Sequence, residues 1–374
     1  MADAGVTVEE VRARFLAFAE REAAGFSPLY EHLALHIAED PEVAGLLTSA
    51  QPGFAMPTLL LAVAHRLVQA EPVHPLADYY PTLSGSFGVD GRTWPLFREF
   101  LLERADKARA LVAARTTQTN EVRRAALLYP AVALAAKQAR GPVALLEVGC
   151  SAGLLLGLDR YGYRYQTEQA GQLAAGPTKT ALGLHCALEL APGAELPVVP
   201  KKLTVAARIG LDRAPVDAQD EDELAWLEAC VWADQPERAR LLRLAATVQR
   251  KDQPRLVAGD AVDDLAGAAA LAEDDLPLVV ITSHVLSYLS RERRAEFLVA
   301  LGELAARRPL WWVSVDGYSA TLEPLLPGRD DLTEVAGRPA FGVLGLTHWS
   351  KGAPVARALA RTGLHGQRLE WLAG

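Results

Sequence analysis

The chain has 374 residues, which is long for a single hydrophobic core and sufficient for two domains. Half of the residues are hydrophobic and 22% are charged, as is typical of globular proteins. The net charge of −8 disfavours nucleic acid as a partner, because an acidic protein repels a polyanion on average. We therefore expect a small-molecule substrate.

Cysteine usage and hydropathy narrow the cellular setting. Cys150, Cys186 and Cys230 are far apart and form no CxxC pair, which argues against a disulfide framework and a structural zinc site. We therefore expect no metal, and we predict a reducing cytoplasmic compartment. No signal-peptide pattern opens the chain. The apolar run 59–64 is far shorter than the roughly 20 residues of a bilayer span, so we expect no membrane partner.

The first part of the chain is predicted to be an all-helical N-terminal domain, residues 1–139. Thr7 and Glu10 form a capping-box pattern ahead of apolar residues at helical spacing. Residues 72–93 are rich in proline, glycine and aromatic residues without periodicity, which predicts a long loop. No convincing strand precedes residue 142.

From residue 140 onward the pattern indicates a second domain, 140–374, of the α/β class. Short continuous apolar runs are typical of strands buried on both faces of a parallel sheet. Helical stretches separate most of these runs, as a parallel α/β sheet requires. The predicted strands are 143–148, 203–209, 254–258, 277–282 and 310–315, with 341–348 and 367–372 as candidates for two more. Residues of about 160–200 are predicted to be an insertion.

A glycine-containing loop after the first predicted strand is the main functional signal. Gly149, Ser151, Ala152 and Gly153 follow the strand directly, and such a turn lets backbone approach a ligand closely. The loop matches neither the phosphate-binding GxxxxGK pattern nor GxGxxG. Glu147 is an acid at the end of an apolar strand, where a cationic ligand such as the amino group of a methionine moiety would compensate its burial. Alternatively, it caps backbone or pairs with an arginine.

Polar residues end each of the following strands. Asp212 is a candidate for binding ribose hydroxyls, or else a turn or N-cap residue. Asp260, with Ala261 after it, is a candidate for the adenine amino group and also fits an N-cap of helix 261–272. Ser283 and His284 end the fourth strand at the carboxyl edge, where ligands of open α/β sheets bind. His284 there is either a base, a residue packed over adenine, or structural.

These motifs resemble class I S-adenosylmethionine-dependent methyltransferases over residues of about 143–316. The resemblance rests on Glu147–Gly153, Gly210–Asp212, Gly259–Asp260 and Ser283–Leu286 in that order. It implies a Rossmann-like methyltransferase sheet, mostly parallel with about seven strands, and S-adenosylmethionine as the cofactor. It also implies that the residues of the preceding two paragraphs bind that cofactor. Ser151 in place of a glycine and the long gap to Asp212 depart from the methyltransferase pattern.

The whole chain also resembles an uncharacterised, mainly actinobacterial family of unknown function. That resemblance is carried by residues Gln118–Arg124, Glu147–Gly153, Arg208–Asp212 and Val231–Arg238. It implies a helical N-terminal domain on a methyltransferase-like domain and supplies no activity of its own.

The helical domain is the candidate lid over the acceptor. Tyr79 and Tyr80 could line an acceptor pocket or simply pack, and Gln118 and Asn120 open the helix that leads into the glycine-loop strand. We therefore take these four as candidate substrate residues, with Tyr80 and His284 as candidate catalytic residues.

Two other functions stay open. Gly149–Gly153 is a literal GxSxG, the nucleophile elbow of α/β-hydrolases, in which Ser151 would act with Asp316 and either His348 or His365. The helical character of the preceding residues disfavours this fold, which needs strands before its elbow. The second alternative is a protein that binds a nucleotide-like ligand without methyl transfer.

Overall fold

The computed structural model describes residues 5–334 and 340–373, and every structural statement below concerns that part of the chain. The chain forms two compact units. The first comprises residues up to Thr119 together with Gln219–Arg243, and the second comprises Asn120–Ala218 and the residues from Leu244 onward. The division into independent domains at 139/140 stays a prediction.

Helices build the first unit and flank the sheet of the second. The capping box predicted at Thr7 and Glu10 is confirmed, and the predicted loop 72–93 contains two short 3-10 helices, Pro75–Tyr79 and Pro81–Leu83. None of the described helices combines the length and apolar composition needed to cross a bilayer. The α-helices are α1 Val8–Phe18, α2 Pro28–Glu39, α3 Pro41–Ala44, α4 Pro57–Ala70, α5 Thr93–Glu103, α6 Ala105–Ala114, α7 Arg124–Ala139, α8 Glu221–Ala229, α9 Pro236–Gln249, α10 Leu265–Ala269, α11 Arg291–Ala305 and α12 Tyr318–Thr321.

A buried histidine explains why the segment 219–243 belongs to the first unit. His65 of α4 is 1% exposed, and its Nδ1 lies 3.1 Å from the carbonyl oxygens of both Ala229 and Val231. Because carbonyl oxygens only accept, Nδ1 carries the proton and donates to them. Its Nε2 therefore accepts from the Thr82 hydroxyl at 2.8 Å. One ring thus joins α4, the chain after α8, and the segment that was predicted to be a loop.

The second unit contains one mixed sheet. Its strand order is β3-β2-β4-β11-β10-β9-β8-β7-β1-β5-β6. The strands are β1 Val143–Val148, β2 Gly162–Thr167, β3 Gly171–Ala175, β4 Gly183–Leu190, β5 Val205–Asp212, β6 Arg255–Ala258, β7 Leu278–Ser283, β8 Leu310–Asp316, β9 Gly342–Ser350, β10 Ala353–Thr362 and β11 Arg368–Trp371.

The predicted Rossmann-like methyltransferase sheet of about seven mostly parallel strands is wrong. The sheet has eleven strands and is mixed. The segment β8-β7-β1-β5-β6, called the parallel segment below, is parallel throughout, and so is the shorter run β2-β4-β11. Beyond the parallel segment, β9 and β10 form a long antiparallel hairpin against β8, and β11 joins that hairpin to β4. The physical reason is that strands of residues 160–200 and of the C-terminal region extend the same sheet by long-range pairing.

The segment 160–200 contributes β2, β3 and β4 to the sheet. Side chains of β2 and β4 alternate between buried and exposed, since each strand contacts the interior on one face. Tyr163 and Tyr165 point inward from β2, and Leu184, Cys186 and Leu188 do so from β4. This region is therefore part of the sheet and not an appendage to it.

A proline inside α7 shows how β2 is attached. Pro130 has no amide proton, so the carbonyl of Ala126, four residues earlier, loses its helical donor. The hydroxyl of Tyr165 in β2 donates to that carbonyl oxygen at 2.8 Å. Tyr165 is 1% exposed, so its hydroxyl and the carbonyl satisfy each other away from solvent.

Candidate functional site

In the parallel segment of the sheet, the strands that follow β1 are added first on one side of it and then on the other. From β1 the chain adds β5 and β6 on one side, and then β7 and β8 on the other side. In open α/β sheets this reversal leaves a crevice outside the carboxyl ends of the two strands, and ligands bind there. The strands concerned are β1 and β7, whose pairing places Val148 opposite Thr282. Glu147 ends the first of them, and Ser283 and His284 end the second.

Glu147 is a buried acid at this position. Glu147 is only 4% exposed, and its Oε2 has no hydrogen-bond partner among the described residues. Burial, reinforced by the nearby charge of Asp212, raises the pKa of Glu147 well above its usual value, although Arg124 and an amide hydrogen bond from Leu156 act in the opposite direction. Neither of the protein-only roles considered above, a backbone cap or an arginine partner, satisfies this oxygen.

Two further unpartnered atoms end the neighbouring strand. Ser283 Oγ and His284 Nε2 are buried and have no hydrogen-bond partner in the described part of the chain. His284 has a φ of 53°, an uncommon conformation for a residue other than glycine. Its amide donates to the Val315 carbonyl at 2.8 Å, which holds the backbone in that state. We call Glu147, Ser283 and His284 the carboxyl-edge site.

The electrostatics of the carboxyl-edge site favour a neutral imidazole. Burial, with a smaller contribution from the Arg124 charge, lowers the pKa of His284 to about 4. His284 is therefore uncharged at neutral pH, and Nε2 either accepts or donates according to the tautomer. Arg124 begins α7 and acts on both Glu147 and His284, so the start of this helix belongs to the same edge.

Most backbone amides of the glycine loop donate hydrogen bonds to oxygen atoms of the protein itself. The amides of Gly149 and Cys150 donate to the Leu211 carbonyl at 2.8 and 3.3 Å, and that of Gly153 donates to the Cys150 carbonyl at 2.7 Å. The Ser151 amide donates to Asp212 Oδ2 at 2.8 Å. The loop continues into a 3-10 helix, Leu154–Arg160, and not into an α-helix. The loop therefore does not offer the row of free amides that binds a phosphate group.

Gly149 is required by its surroundings. Its φ is 76°, and a Cβ atom at this position would overlap the side chain of Val285, which follows β7. Ala152 is fully buried beside it, and Ser151 adopts a φ of 48°. The predicted loop residues are thus packed against the end of β7, close to the carboxyl-edge site.

Asp212 serves the loop in this structure. Its Oδ2 accepts from Ser151, and its Oδ1 accepts from the amide of Ala214 at 2.9 Å, as in an Asx turn. The hydroxyl of Ser151 in turn accepts from the side-chain amide of Asn120 at 2.9 Å. The turn role proposed for Asp212 is confirmed, whereas ribose binding stays a prediction. Asn120 and Ser151 are brought together, which sequence separation alone did not indicate.

Asp260 is engaged by protein groups. Its Oδ1 accepts from the amide of Val262 at 2.9 Å and from Arg293, and its Oδ2 accepts from Arg213 at 3.4 Å. These amide and guanidinium donors lower the pKa of Asp260 to about 2. Helix α10 starts only at Leu265, so Asp260 and Ala261 belong to the turn before it. Contact with an adenine amino group stays a prediction.

Three predicted acceptor residues lie in the first unit. The Tyr79 hydroxyl donates to Asp90 Oδ1 at 2.9 Å. Tyr80 is fully buried, its ring lies 5.4 Å from that of His65, and burial raises the pKa of its hydroxyl. Gln118 also belongs to this unit. Their proposed roles toward an acceptor, and the catalytic role of Tyr80, stay predictions.

The sheet register argues against the hydrolase alternative. His348 pairs with Trp311 near the start of β8, whereas Asp316 ends β8 and pairs with Val343. His348 therefore lies toward the opposite end of the sheet from Asp316. Asp316 accepts from the amides of Ser287 and Gly317 at 3.2 and 2.8 Å.

The other histidine of that alternative is placed differently. His365 Nδ1 lies 3.7 Å from the buried carboxylate of Glu121. The adjacent Leu364 carbonyl accepts from Arg124 at 3.2 Å, so the loop 363–367 reaches the start of α7. Neither Arg124 nor this loop was predicted from sequence to be part of the carboxyl-edge site. Gly363 and Gly366 around a histidine were the available signal.

Comparison with known proteins gives a family for the chain. A family model described as "Uncharacterized protein conserved in bacteria (DUF2332)" matches residues 12–371. No curated protein matches the chain. Because the matched residues include both units and every residue of the carboxyl-edge site, the chain belongs to this uncharacterised bacterial family.

Proposed function

We propose that this protein binds S-adenosylmethionine at the carboxyl-edge site and transfers its methyl group to a small-molecule acceptor. The observation that carries the proposal is the buried carboxyl of Glu147 at the reversal point of the parallel strands, whose Oε2 has no hydrogen-bond partner among the described residues. A buried carboxylate is costly unless a cation pairs with it. The ammonium group of S-adenosylmethionine supplies such a cation.

The state of the glycine loop supports the same class of ligand. Four of its amides already donate to protein oxygens, so a ligand that depends on phosphate contacts would find few free donors. S-Adenosylmethionine contains no phosphate and carries positive charge. It therefore fits this loop better than a nucleoside phosphate or a dinucleotide does.

The chemistry of His284 limits its part in the reaction. A group with a pKa of about 4 is a weak general base at neutral pH, where efficient bases titrate closer to the working pH. We therefore propose that neutral His284 and Ser283 position the bound molecules by hydrogen bonds. Methyl transfer then depends on alignment and exclusion of water more than on proton removal. The acidic charge balance favours a small-molecule acceptor over a nucleic acid.

The hydrogen bonds of two acids support a second candidate function, which is ligand binding without methyl transfer. Asp212 and Asp260, the acids predicted to bind the nucleoside, already accept hydrogen bonds from protein groups. This favours a protein that binds a nucleotide-like organic cation without transferring a methyl group. Incubation with methyl-labelled S-adenosylmethionine and a small-molecule extract separates the two, because only the transferase moves label into a new compound.

Calorimetry with three related ligands tests the site itself. S-Adenosylmethionine and S-adenosylhomocysteine carry the amino-acid group, whereas methylthioadenosine has the nucleoside without it. We expect Glu147→Gln to lower the affinity for S-adenosylmethionine and S-adenosylhomocysteine at least about tenfold, because the contact with the ammonium group is lost. The affinity for methylthioadenosine should not change. The exposed Glu195→Gln is the control.

Two results would contradict the proposal. One is the absence of binding of both amino-acid-bearing ligands at millimolar concentration by folded protein. The other is equal weakening of all three ligands by Glu147→Gln, because this would show a structural effect and not a contact with the ammonium group.

A further inference from the structure

A cavity lies at the end of these strands opposite to the carboxyl-edge site. Its lining includes Gly141 and Pro142, which precede β1, and Leu203 and Thr204, which precede β5. It is thus at the amino edge of the sheet, about one strand length from the carboxyl-edge site. Its volume of about 550 Å³ lies within the range of small-molecule sites.

The walls of this amino-edge cavity are apolar and anchored. One wall is a face of α7 with Pro130, Ala133 and Leu134, and Trp371 of β11 lies on another side. The segment 195–200 also lines it, and the Pro200 carbonyl accepts from the Tyr129 hydroxyl at 2.8 Å and from the Gly176 amide at 3.0 Å. Anchored walls mean that the cavity exists before a ligand arrives.

The charges around the cavity are predominantly positive. The charged lining residues are Lys137, Lys202, Arg357 and Glu195, so cations outnumber acids. None of the three cations has an ion-pair partner among residues 5–334 and 340–373, whereas arginines elsewhere in this unit, such as Arg208 and Arg368, pair with acids. In a chain of net charge −8, three unpaired cations around one apolar cavity favour an anion there.

We propose that the amino-edge cavity binds a small amphipathic carboxylate, with its apolar body against α7 and Trp371 and its carboxylate among Lys137, Lys202 and Arg357. The planar guanidinium of Arg357 matches a carboxylate geometrically, and the two lysines add charge without demanding an orientation. The excess of cations over Glu195 and the apolar walls suit one anionic group on a hydrocarbon body. This site is separate from the carboxyl-edge site and does not depend on its ligand.

Two matched pairs test the proposal on the full-length protein. Decanoate and decylammonium share a chain length and differ in the sign of the charge. Lys202→Glu reverses a charge that lines the cavity, and Lys201→Glu reverses the charge of its exposed neighbour outside the lining. Titration calorimetry below the micelle concentration measures both ligands with each protein. Thermal melting checks that both variants are folded, as expected of exposed positions.

We expect decanoate to bind saturably and decylammonium to bind at least about tenfold more weakly. We expect Lys202→Glu to lower the affinity for decanoate at least about tenfold, and Lys201→Glu to change that affinity less than about twofold. Equal binding of the two ligands, equal effects of the two variants, or no saturable binding of decanoate would each overturn the proposal.

Discussion

The two edges of one sheet differ in almost every physical respect. At the carboxyl edge, a buried acid, a hydroxyl and an imidazole lack partners, and Gly149 and His284 adopt positive φ angles. At the amino edge, an open apolar cavity is surrounded by exposed cations. Helix α7 runs between them and contributes Arg124 to the first edge and Lys137 to the second. Constrained backbone is characteristic of a site that must hold a ligand in one geometry, whereas exposed cations around an apolar cavity select mainly the charge of the ligand.

The largest expected effect tests the difference in backbone constraint. Gly149→Ala should lower the free energy of unfolding by about 3 kcal/mol or more, because the new methyl group overlaps Val285 at a positive φ. Gly141→Ala, at the amino edge, meets no atom within 4 Å and should change stability by less than about 1 kcal/mol. Urea unfolding measures the free energy of unfolding of both variants. Equal losses of stability would refute the predicted difference between the two edges.

The next largest expected effect concerns the hydrogen bond that joins α7 to β2. Tyr165→Phe leaves the buried Ala126 carbonyl without a donor and should cost about 1–3 kcal/mol in unfolding free energy. Tyr288→Phe is the control, since Tyr288 is 87% exposed. Because Ala126 is near the start of α7, we also expect Tyr165→Phe to affect the carboxyl edge more than the binding of decanoate at the amino edge. A variant as stable as wild type would contradict the hydrogen bond from the Tyr165 hydroxyl to the Ala126 carbonyl.

A smaller effect, of opposite sign, concerns Glu147. Since the pKa of Glu147 is raised on folding, the native state still holds a proton at pH values above about 4.5, where the unfolded chain has released it. Stability therefore falls as pH rises from about 4.5 toward the native pKa. Glu147→Gln removes this cost, so it should be more stable than wild type at pH 8 while binding the ammonium-bearing ligands more weakly.

The pH profile supplies the check for Glu147. Thermal melting from pH 5 to pH 8 should show a decline for wild type that is absent in Glu147→Gln, and the exposed Glu195→Gln should follow wild type. A loss of stability in Glu147→Gln at pH 8 would show that the carboxylate is paired within the protein.

The smallest effect compares two serines. Ser283→Ala removes a buried hydroxyl that bonds to nothing in the described residues, so stability should change by less than about 1 kcal/mol. Ser290 caps α11 by accepting from the Arg293 amide at 3.3 Å, and Ser290→Ala should cost about 1 kcal/mol. If Ser283→Ala is the more damaging of the two, Ser283 has a structural partner and is not available to a ligand.

Sequence patterns predicted the parallel segment of the sheet well. The apolar runs 143–148, 277–282 and 310–315 correspond to β1, β7 and β8 within one residue at each end. These strands are buried on both faces, so a continuous apolar run is an unambiguous signal for them. The residues at their carboxyl ends follow directly, which is why Glu147, Ser283 and His284 could be proposed from sequence.

The predicted strands 203–209 and 254–258 and the candidates 341–348 and 367–372 overlap β5, β6, β9 and β11. Strands β2, β3, β4 and β10 were missed because their signals are of another kind. Strands β2 and β4 alternate between buried and exposed residues, and the tyrosines at 161, 163 and 165 show that period of two. Glycines and prolines around them suggested an irregular insertion instead. The antiparallel hairpin of β9 and β10 and the pairing of β11 with β4 depend on tertiary contacts that no local pattern encodes.

Local patterns also could not predict the partners of polar side chains. Asp212 and Asp260 were correctly placed at strand ends, but their hydrogen bonds to Ser151, Val262 and Arg293 require the folded chain. Arg124 reaches the site because α7 runs from the carboxyl edge, where Arg124 acts on Glu147 and His284, to the amino edge, where Lys137 lines the cavity. Such contacts distinguish an acid that builds a loop from one that is left for a ligand.

The position of β11 has a consequence for synthesis. Among the described strands, β11 alone joins β3-β2-β4 to the other seven, and its Arg368 pairs with Glu189, 179 positions earlier. During translation, the edge of β4 that faces β11 therefore stays unpaired until residues 368–371 have left the ribosome. An exposed strand edge is a template for pairing with other chains. The nascent protein thus passes through a stage in which aggregation competes with completion of the sheet, and factors that shield β4 during that stage would raise the yield of folded protein.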